Sequence, residues 1–327
     1  MPRLIAHVDY VTDPGAAPDP IGFMLDALGS PGAIPLLLVG ALLALGVVLA
    51  WARWRPMEAA RKRFLERAES YREYLPWIVR LSVGLVLIGS GVARVLFMPT
   101  IEAPAWAALA LTGTGFLLLL GLAVRPAALA ALAMYALTLA GNPELVMMLD
   151  VAGGLAVVAL LGPGRPSLDD LLRAAFPRGP GAKAATENLA SGRDDDLVPL
   201  LVRLGLGGAF AASGVADKLL IHDQALAAVG KYGLTAVVPV APELWVLGGI
   251  LIETALGLAI IFGVLTRLSA VIGFAVLTLA LFALPDDPVI AHVGLFGLCS
   301  VLVITGAGRW SLDRTVLRGV GERLRAP

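Results

Sequence analysis

The sequence predicts an all-α integral membrane protein with nine transmembrane helices. An N-terminal anchor helix is expected to precede two tandem four-helix bundles in parallel repeat. Three observations carry this expectation. The first is composition: 58% of the 327 residues are hydrophobic and 15% are charged, and the mean hydropathy is +0.84. A soluble domain holds about 25% charged residues. The second is a series of apolar runs, each close to the length a bilayer requires. The third is a pattern of residues that recurs between the two halves of the chain.

Residues 1–33 are rich in Pro, Gly and Asp, and no basic start abuts an apolar core, so they do not read as a cleavable signal. They are expected to be an external tail. Ile34–Ala52 is uncharged and reads as the anchor helix. It belongs to a segment, 34–75, whose second part is the most basic of the chain. Arg53, Arg55, Arg61, Lys62, Arg63, Arg67 and Arg72 accompany Ala60, Phe64, Ala68, Tyr71 and Leu75 at helical spacing. That pattern predicts an amphipathic helix on the membrane surface.

Residues 76–170 hold four apolar runs: Trp77–Met98, Ala105–Val124, Pro126–Ala140 and Glu144–Leu161. After the last, Ser167 is placed to cap a short helix with Asp169 and Asp170 in its first turn. Residues 171–196 read as a cytoplasmic linker. Residues 197–313 hold four more runs: Leu197–Leu220, Glu243–Val264, Leu268–Leu284 and Pro288–Thr305. A basic cytoplasmic tail, 314–327, completes the chain.

Charge sets the expected orientation. With the basic segment 53–75 in the cytoplasm, alternation puts Arg125, the linker arginines, Arg267 and the basic tail on the same side. The outer loops, 99–103, 141–143, 219–242 and 285–287, carry little positive charge. All six tryptophans fall at or just beyond run ends, where an interfacial belt places them. The expected location is therefore the cell membrane, multi-pass, with the N-terminus outside and the C-terminus in the cytoplasm.

The two four-run segments share V-R-L-x-x-G and S-G-V-A in register, at Val79–Gly84 with Ser90–Ala93 and at Val202–Gly207 with Ser213–Ala216. They end alike, in GPGRPSLD at Gly162–Asp169 and GAGRWSLD at Gly306–Asp313. Four spans per copy is an even number, so both copies enter from the same side and the repeat is parallel.

Ionisable residues inside apolar runs are the candidate functional groups, because a charge in hydrocarbon costs at least about 2.5 kcal/mol. Lys218 and Glu253 lie in or at the edge of such runs, at depths one to two helical turns apart, close enough for a lysine side chain to bridge. Only the second copy has this pair. Its counterparts in the first copy are Val95 and Leu111, with Arg94 opposite Asp217. Asp150 is a further acid within a run, with Arg94 as a possible partner. His222 and His292 fall near the outer side of the second copy with Asp223, Asp286 and Asp287, a set from which zinc, copper or haem ligands can be drawn. Arg203 and Arg267 recur as Arg80 and Arg125 near the inner side, which suits anionic headgroups or an anionic substrate. Ordinary roles in packing and topology account for the same histidines, arginines and glycines. The single cysteine, Cys299, excludes disulfides and thiol relays within the chain. No basic surface is large enough for nucleic acid.

The second segment resembles the DoxX family of four-helix membrane proteins. The resemblance rests on R-L-x-x-G at Arg203–Gly207, S-G-x-x-x-K at Ser213–Lys218, and E-x-x-x-G-x-x-x-x-x-G-x-x-x-R at Glu253–Arg267. Through the repeat it extends to 76–170. The family includes the membrane subunit of a thiosulfate:quinone oxidoreductase and members tied to oxidative-stress complexes. More distant relatives are cargo receptors or assembly chaperones. The resemblance therefore implies one of two classes. One is the membrane subunit of a redox complex that holds a quinone in the bundle and docks a soluble or membrane redox partner. The other is a non-enzymatic scaffold or chaperone for membrane proteins or lipids. On the redox reading, Glu253 and Lys218 are the catalytic candidates. Arg203, Arg267, Ser213 and Gly214 are the cofactor-binding candidates, and His222 and His292 are the metal candidates.

Overall fold

A computed structural model describes residues 19–53, 58–175, 194–284 and 289–317. Helices dominate it. The first pair is α1 (Pro20–Gly29) and α2 (Ala33–Arg53), followed by α3 (Glu58–Ser70). The first block comprises α4 (Leu75–Val92), a hairpin of β1 (Val95–Leu96) and β2 (Met98–Glu102), α5 (Ala105–Leu120), α6 (Val124–Gly141), a 3₁₀ turn (Pro143–Met148), α7 (Leu149–Leu161) and α8 (Leu168–Ala175). The second comprises α9 (Asp194–Ala212), a π-helical segment (Ser213–Leu220), α10 (His222–Lys231), α11 (Leu234–Val237), α12 (Pro242–Phe262), α13 (Thr266–Ala283) and α14 (Val289–Thr305).

Among the described residues, six helical stretches are long and apolar enough to cross a membrane: Lys62–Val92, Val124–Gly141, Pro143–Leu161, Asp196–Leu220, Pro242–Phe262 and Thr266–Ala283. The pair α1–α2, bent by 87°, makes a seventh if counted as one span. α5 and α14 are shorter apolar helices. The protein is thus a helical, polytopic membrane protein.

Four helices form the centre. α9 lies along α7, α14 lies along α4, and α4–α7 and α9–α14 complete the ring. α5 and α6 flank one side of it, α12 and α13 the other. Glycines decide where these helices meet. A Cβ on Gly153 would lie 2.8 Å from Gly205 Cα, and a Cβ on Gly205 would lie 2.8 Å from Gly153 Cα. The two backbones touch. At the matching place across the centre, a Cβ on Gly297 would run into the Ser82 side chain. Gly84 meets the Gly115 carbonyl at 3.0 Å by the same measure, and Gly207 meets the Gly257 carbonyl at 2.7 Å. Such contacts are what hold helices together in lipid, where burying apolar side chains gives no net drive.

The 163–175 and 306–317 segments fold back on the helix ends. The Asp313 carboxylate accepts from the Leu265 and Thr266 amides, at 2.7 and 2.8 Å, and from the Thr266 hydroxyl at 2.8 Å. An acid at a helix N-terminus satisfies free amides and suits the dipole. Asp169 does the same for Ala123, at 3.1 Å. Ser167 caps α8 by accepting from Asp170 N at 3.2 Å, as its place in the sequence suggests. Gly121 and Gly263 sit in the left-handed region, φ 70° and 67°, and terminate α5 and α12.

Several stretches differ from the sequence expectation. The 219–242 stretch, expected as a loop, contains α10 and α11, because Ala225, Ala228 and Val229 bury one face against α12. The N-terminal tail contains α1, with Asp19 accepting from Gly22 N at 2.9 Å to cap it. α4 ends at Val92, and its outer connection is a hairpin that tucks Phe97 edge-on to Tyr135, 5.3 Å between ring centroids. α3 confirms a helix in the basic segment, but Phe64 is exposed and Ala68 is buried. Most of the 171–196 linker and of the 314–327 tail lies outside the described residues, as do Asp286 and Asp287.

The backbone contact of α7 with α9 gives a direct test. Gly205→Val should remove about 1–3 kcal/mol or more through overpacking. Gly248→Ala, where nothing lies within 4 Å of the added carbon, should leave stability unchanged or slightly raised. Thermal unfolding of the purified variants in detergent measures both.

Candidate functional site

α9 does not run unbroken to the end of its span. From Ser213 to Leu220 the backbone widens into a π-helix. Such segments are rare and cluster at functional sites, because they shift the side chains that follow them around the helix axis. Here the shift affects Ser213, Asp217 and Lys218. The Lys218 ammonium donates to the Glu253 carboxylate of α12 at 2.7 Å. It also reaches the Ser213 hydroxyl at 3.4 Å, and that hydroxyl donates to Asp217 at 3.0 Å. Asp217 itself is buried. The result is a chain of four polar side chains, Glu253–Lys218–Ser213–Asp217, bridging two apolar helices.

The bridge has room because of two glycines. A Cβ on Gly249 would lie 3.2 Å from Lys218 Cδ, so the bare backbone there accommodates the lysine stem. Gly249 is about one turn from Glu253, and the stem runs down that turn to reach the acid. This is the depth difference expected from the sequence. Gly214 has another role. Its Cβ would lie 2.6 Å from Thr254 Oγ1 and 3.2 Å from Glu253 Cβ. α12 fills the space in front of Gly214, and the glycine sets how closely Glu253 approaches. The pair is not sealed: the Lys218 and Glu253 side chains retain 25% and 19% of their exposure.

The two arginines act elsewhere. Arg203 is buried. Its guanidinium donates to the Ile260 carbonyl at 3.0 Å, to Ala307 at 2.8 Å, to Trp310 at 2.6 Å and to Ile261. These are the last carbonyls of α12 and those of the returning segment. Arg267 donates to Val303 at 2.9 Å and Ile304 at 3.1 Å, at the end of α14. In the first block, Arg80 donates to Pro163 and, at 2.8 Å, to Pro166, and Arg125 donates to Leu160 at 3.3 Å. A cation at a helix C-terminus satisfies free carbonyls and opposes the dipole. This corrects the sequence reading of Arg203 and Arg267 as binders of an anionic ligand: their guanidinium groups point into the protein and bind helix ends.

The histidines stand apart from any converging ligand set. His222 stacks on Phe23 of α1 at 4.6 Å. Its ring nitrogens face Leu219 O at 3.3 Å and Asp223 at 3.4 Å. His292 is buried in α14. Among the described residues, no three His, Cys, Asp or Glu side chains come together as a metal site.

Sequence reasoning missed the Ser213–Asp217 arm of the network. It also missed the environment of Asp150. From the sequence it could pair with Arg94 or sit shallow and wet; in the structure Asp150 is 1% exposed and neither carboxyl oxygen has a hydrogen-bonding side chain.

A polar network held between apolar, bilayer-length helices defines a polytopic membrane protein with an intramembrane ion pair. Residues 198–286 match the DoxX family model. The match spans α9 to α13 and includes Arg203, Ser213, Lys218, Glu253 and Arg267. No curated protein and no solved structure matched the chain.

The clamp role of Arg203 is testable. Arg203→Met leaves four carbonyls without their donor, at about 1–3 kcal/mol each where they stay buried, and should not accumulate as folded protein. Arg203→Lys should fold with a lowered melting temperature, and Arg67→Ala, on the exposed face of α3, should match the parent. Size-exclusion profiles and thermal unfolding report all three. An Arg203→Met protein as stable as the parent would rule the clamp out.

Proposed function

We propose that this protein is the membrane subunit of a redox complex, with a quinone-headgroup site at Lys218 and Glu253. The carrying observation is the 2.7 Å pair, partly open, set in a π-helical segment between apolar helices. A quinone bound there supplies two-electron, two-proton chemistry, with electrons delivered by a partner subunit. Lys218 orients a carbonyl oxygen by donating a hydrogen bond to it. Glu253, freed from part of its contact with Lys218, holds or releases a proton at its carboxyl. Ser213 and Asp217 keep the ammonium in place while the pair loosens. The residues present suit this chemistry. They offer a cationic donor and an acid within hydrogen-bond distance of it.

The architecture in this reading is two tandem DoxX-like blocks, 76–170 and 197–313, related in parallel, after an anchor helix and basic segment at 34–75. Supporting it are the equivalent pairs Gly84–Gly115 and Gly207–Gly257, the arginine clamps Arg80 and Arg203, and the caps Asp169 and Asp313. Counting α1–α2 as one span and including α5 and α14 gives nine spans. The inner arginines then orient the N-terminus outward and the C-terminus to the cytoplasm.

A scaffold reading has its own support. α2 exposes Leu38, Leu42, Leu43, Leu45 and Leu49 along its length, a wholly apolar surface for lipid or a partner helix. Two variants separate the readings. Glu253→Gln should fold normally and lose most copurifying quinone, by at least about tenfold if one charged hydrogen bond of about 1.5–3 kcal/mol is lost. Lys218→Met should lose it too. Quinone extraction and chromatography measure this. Equal quinone in the parent and both variants, or none in any, leaves the scaffold reading standing. Orientation has a separate check: a cysteine placed at Gly233 in a Cys299→Ser background should react with an impermeant maleimide from outside intact cells.

A further inference from the structure

Asp150 is the first acid after the 3₁₀ turn and sits in the first turn of α7. It is twelve residues before Gly162, as Gly294 is twelve before Gly306. In the structure these two matching positions face each other. A Cβ on Gly294 would lie 2.8 Å from Asp150 Oδ2 and 3.5 Å from Val86 Cγ2. The carboxyl therefore occupies the space that the missing Gly294 side chain leaves, between α7, α14 and α4. That place is the seam where the two blocks meet.

The surroundings are apolar: Val86 lies beside the same spot, and Val151, the next residue of α7, is buried in the central cluster. The titratable residues on the elements packed against α7 are Arg80 on α4, Arg125 and Tyr135 on α6, Glu144 on the 3₁₀ turn, Asp194, Asp195, Asp196 and Arg203 on α9, and His292 and Cys299 on α14. None forms a hydrogen bond with the carboxyl. Arg80 and Arg203 bind carbonyls, and the Tyr135 hydroxyl donates to Leu145 O at 2.8 Å. An ionised carboxylate there faces no cation and has only the backbone amides of Asp150 and Val151 at the start of α7 to favour it, so removing it from water costs several kcal/mol.

We propose that Asp150 is a proton-binding site at the seam between the two blocks, where holding the proton keeps α7 packed on α14 and losing it opens that contact to water. With the proton bound, the side chain is neutral and fits against the bare backbone of Gly294. Without it, the charge must be hydrated, and water reaches it only if α7 and α14 part at this contact. The site is then a proton-linked hinge between the halves, placed where both can respond to it. This inference stands apart from the quinone reading, since it uses neither Lys218 nor Glu253.

The test uses the full chain in lipid vesicles and infrared difference spectra of parent against Asp150→Asn. At neutral pH the difference should contain the carbonyl stretch of a protonated carboxylic acid, and that band should vanish at alkaline pH. Glu253→Gln should keep it. A difference spectrum with the paired carboxylate stretches at neutral pH would overturn the proposal. Thermal unfolding supplies the second arm. A folded state that holds this proton more tightly than the unfolded chain gains stability from it at low pH and loses that stability as pH rises. The parent should therefore lose melting temperature against Asp150→Asn as pH rises above the ordinary carboxylate range. Equal pH dependence would also overturn the proposal. If Asp150→Asn does not accumulate, Asp150→Ser serves in both measurements.

Discussion

Close backbone approach at glycine is the constraint on which the rest of this structure depends. In lipid, the tails around a helix are as apolar as its own leucines, so association rests on packing and on internal hydrogen bonds. The touch of Gly153 on Gly205 brings α7 and α9 together, and Gly207 on Gly257 brings α9 and α12 together. The second contact makes the candidate site possible. Lys218 and Glu253 belong to the two helices that it joins, and Gly214 and Gly249 continue the same close approach up to their level. A wider crossing would leave the ammonium and the carboxylate in separate apolar surroundings, where neither could stay charged at low cost.

The helix ends pose the second problem, and charges inside the fold meet it. The last carbonyls of a helix have no partner within it. Arg203, Arg267 and Arg125 supply donors to those carbonyls, Arg80 and Arg203 bind carbonyls of the returning segments, and Asp313 and Asp169 accept from amides at the starts of α13 and α6. The arginines can stay at these helix ends because main-chain carbonyls accept charged hydrogen bonds from each of them.

The sequence made the membrane class, most helix limits and the Lys218–Glu253 meeting legible. Apolar run length and the 1.5 Å rise per residue contain that information. The arginines were visible but their direction was not: a guanidinium near an interface looks the same whether it faces phosphate or carbonyl. The π-helix was hidden because it depends on how α9 meets α12, and nothing local in SGVADKLL departs from an ordinary helical pattern. α10 was hidden for another reason. HDQALAAVGK is short and weakly apolar, and its burial comes from α12 and α1 rather than from its own periodicity. The isolation of Asp150 was equally unreadable, because it depends on Gly294 lying opposite, 144 positions away in the chain.

The two blocks are alike at the end that carries the arginine clamps and differ at the opposite end. Where α4 stops and hands over to a hairpin with Arg94 at φ 57°, α9 widens into a π-helix and continues into α10. The shared parts are clamps, caps and glycine contacts, all of which act on the backbone. The differing parts carry the polar side chains of the candidate site. A duplicated frame can tolerate this because its stability lies in the clamp and central contacts, which both blocks keep. Asp150 and Gly294 show the same division at the seam itself. One half supplies the acid and the other supplies the space for it, so neither block alone contains that site.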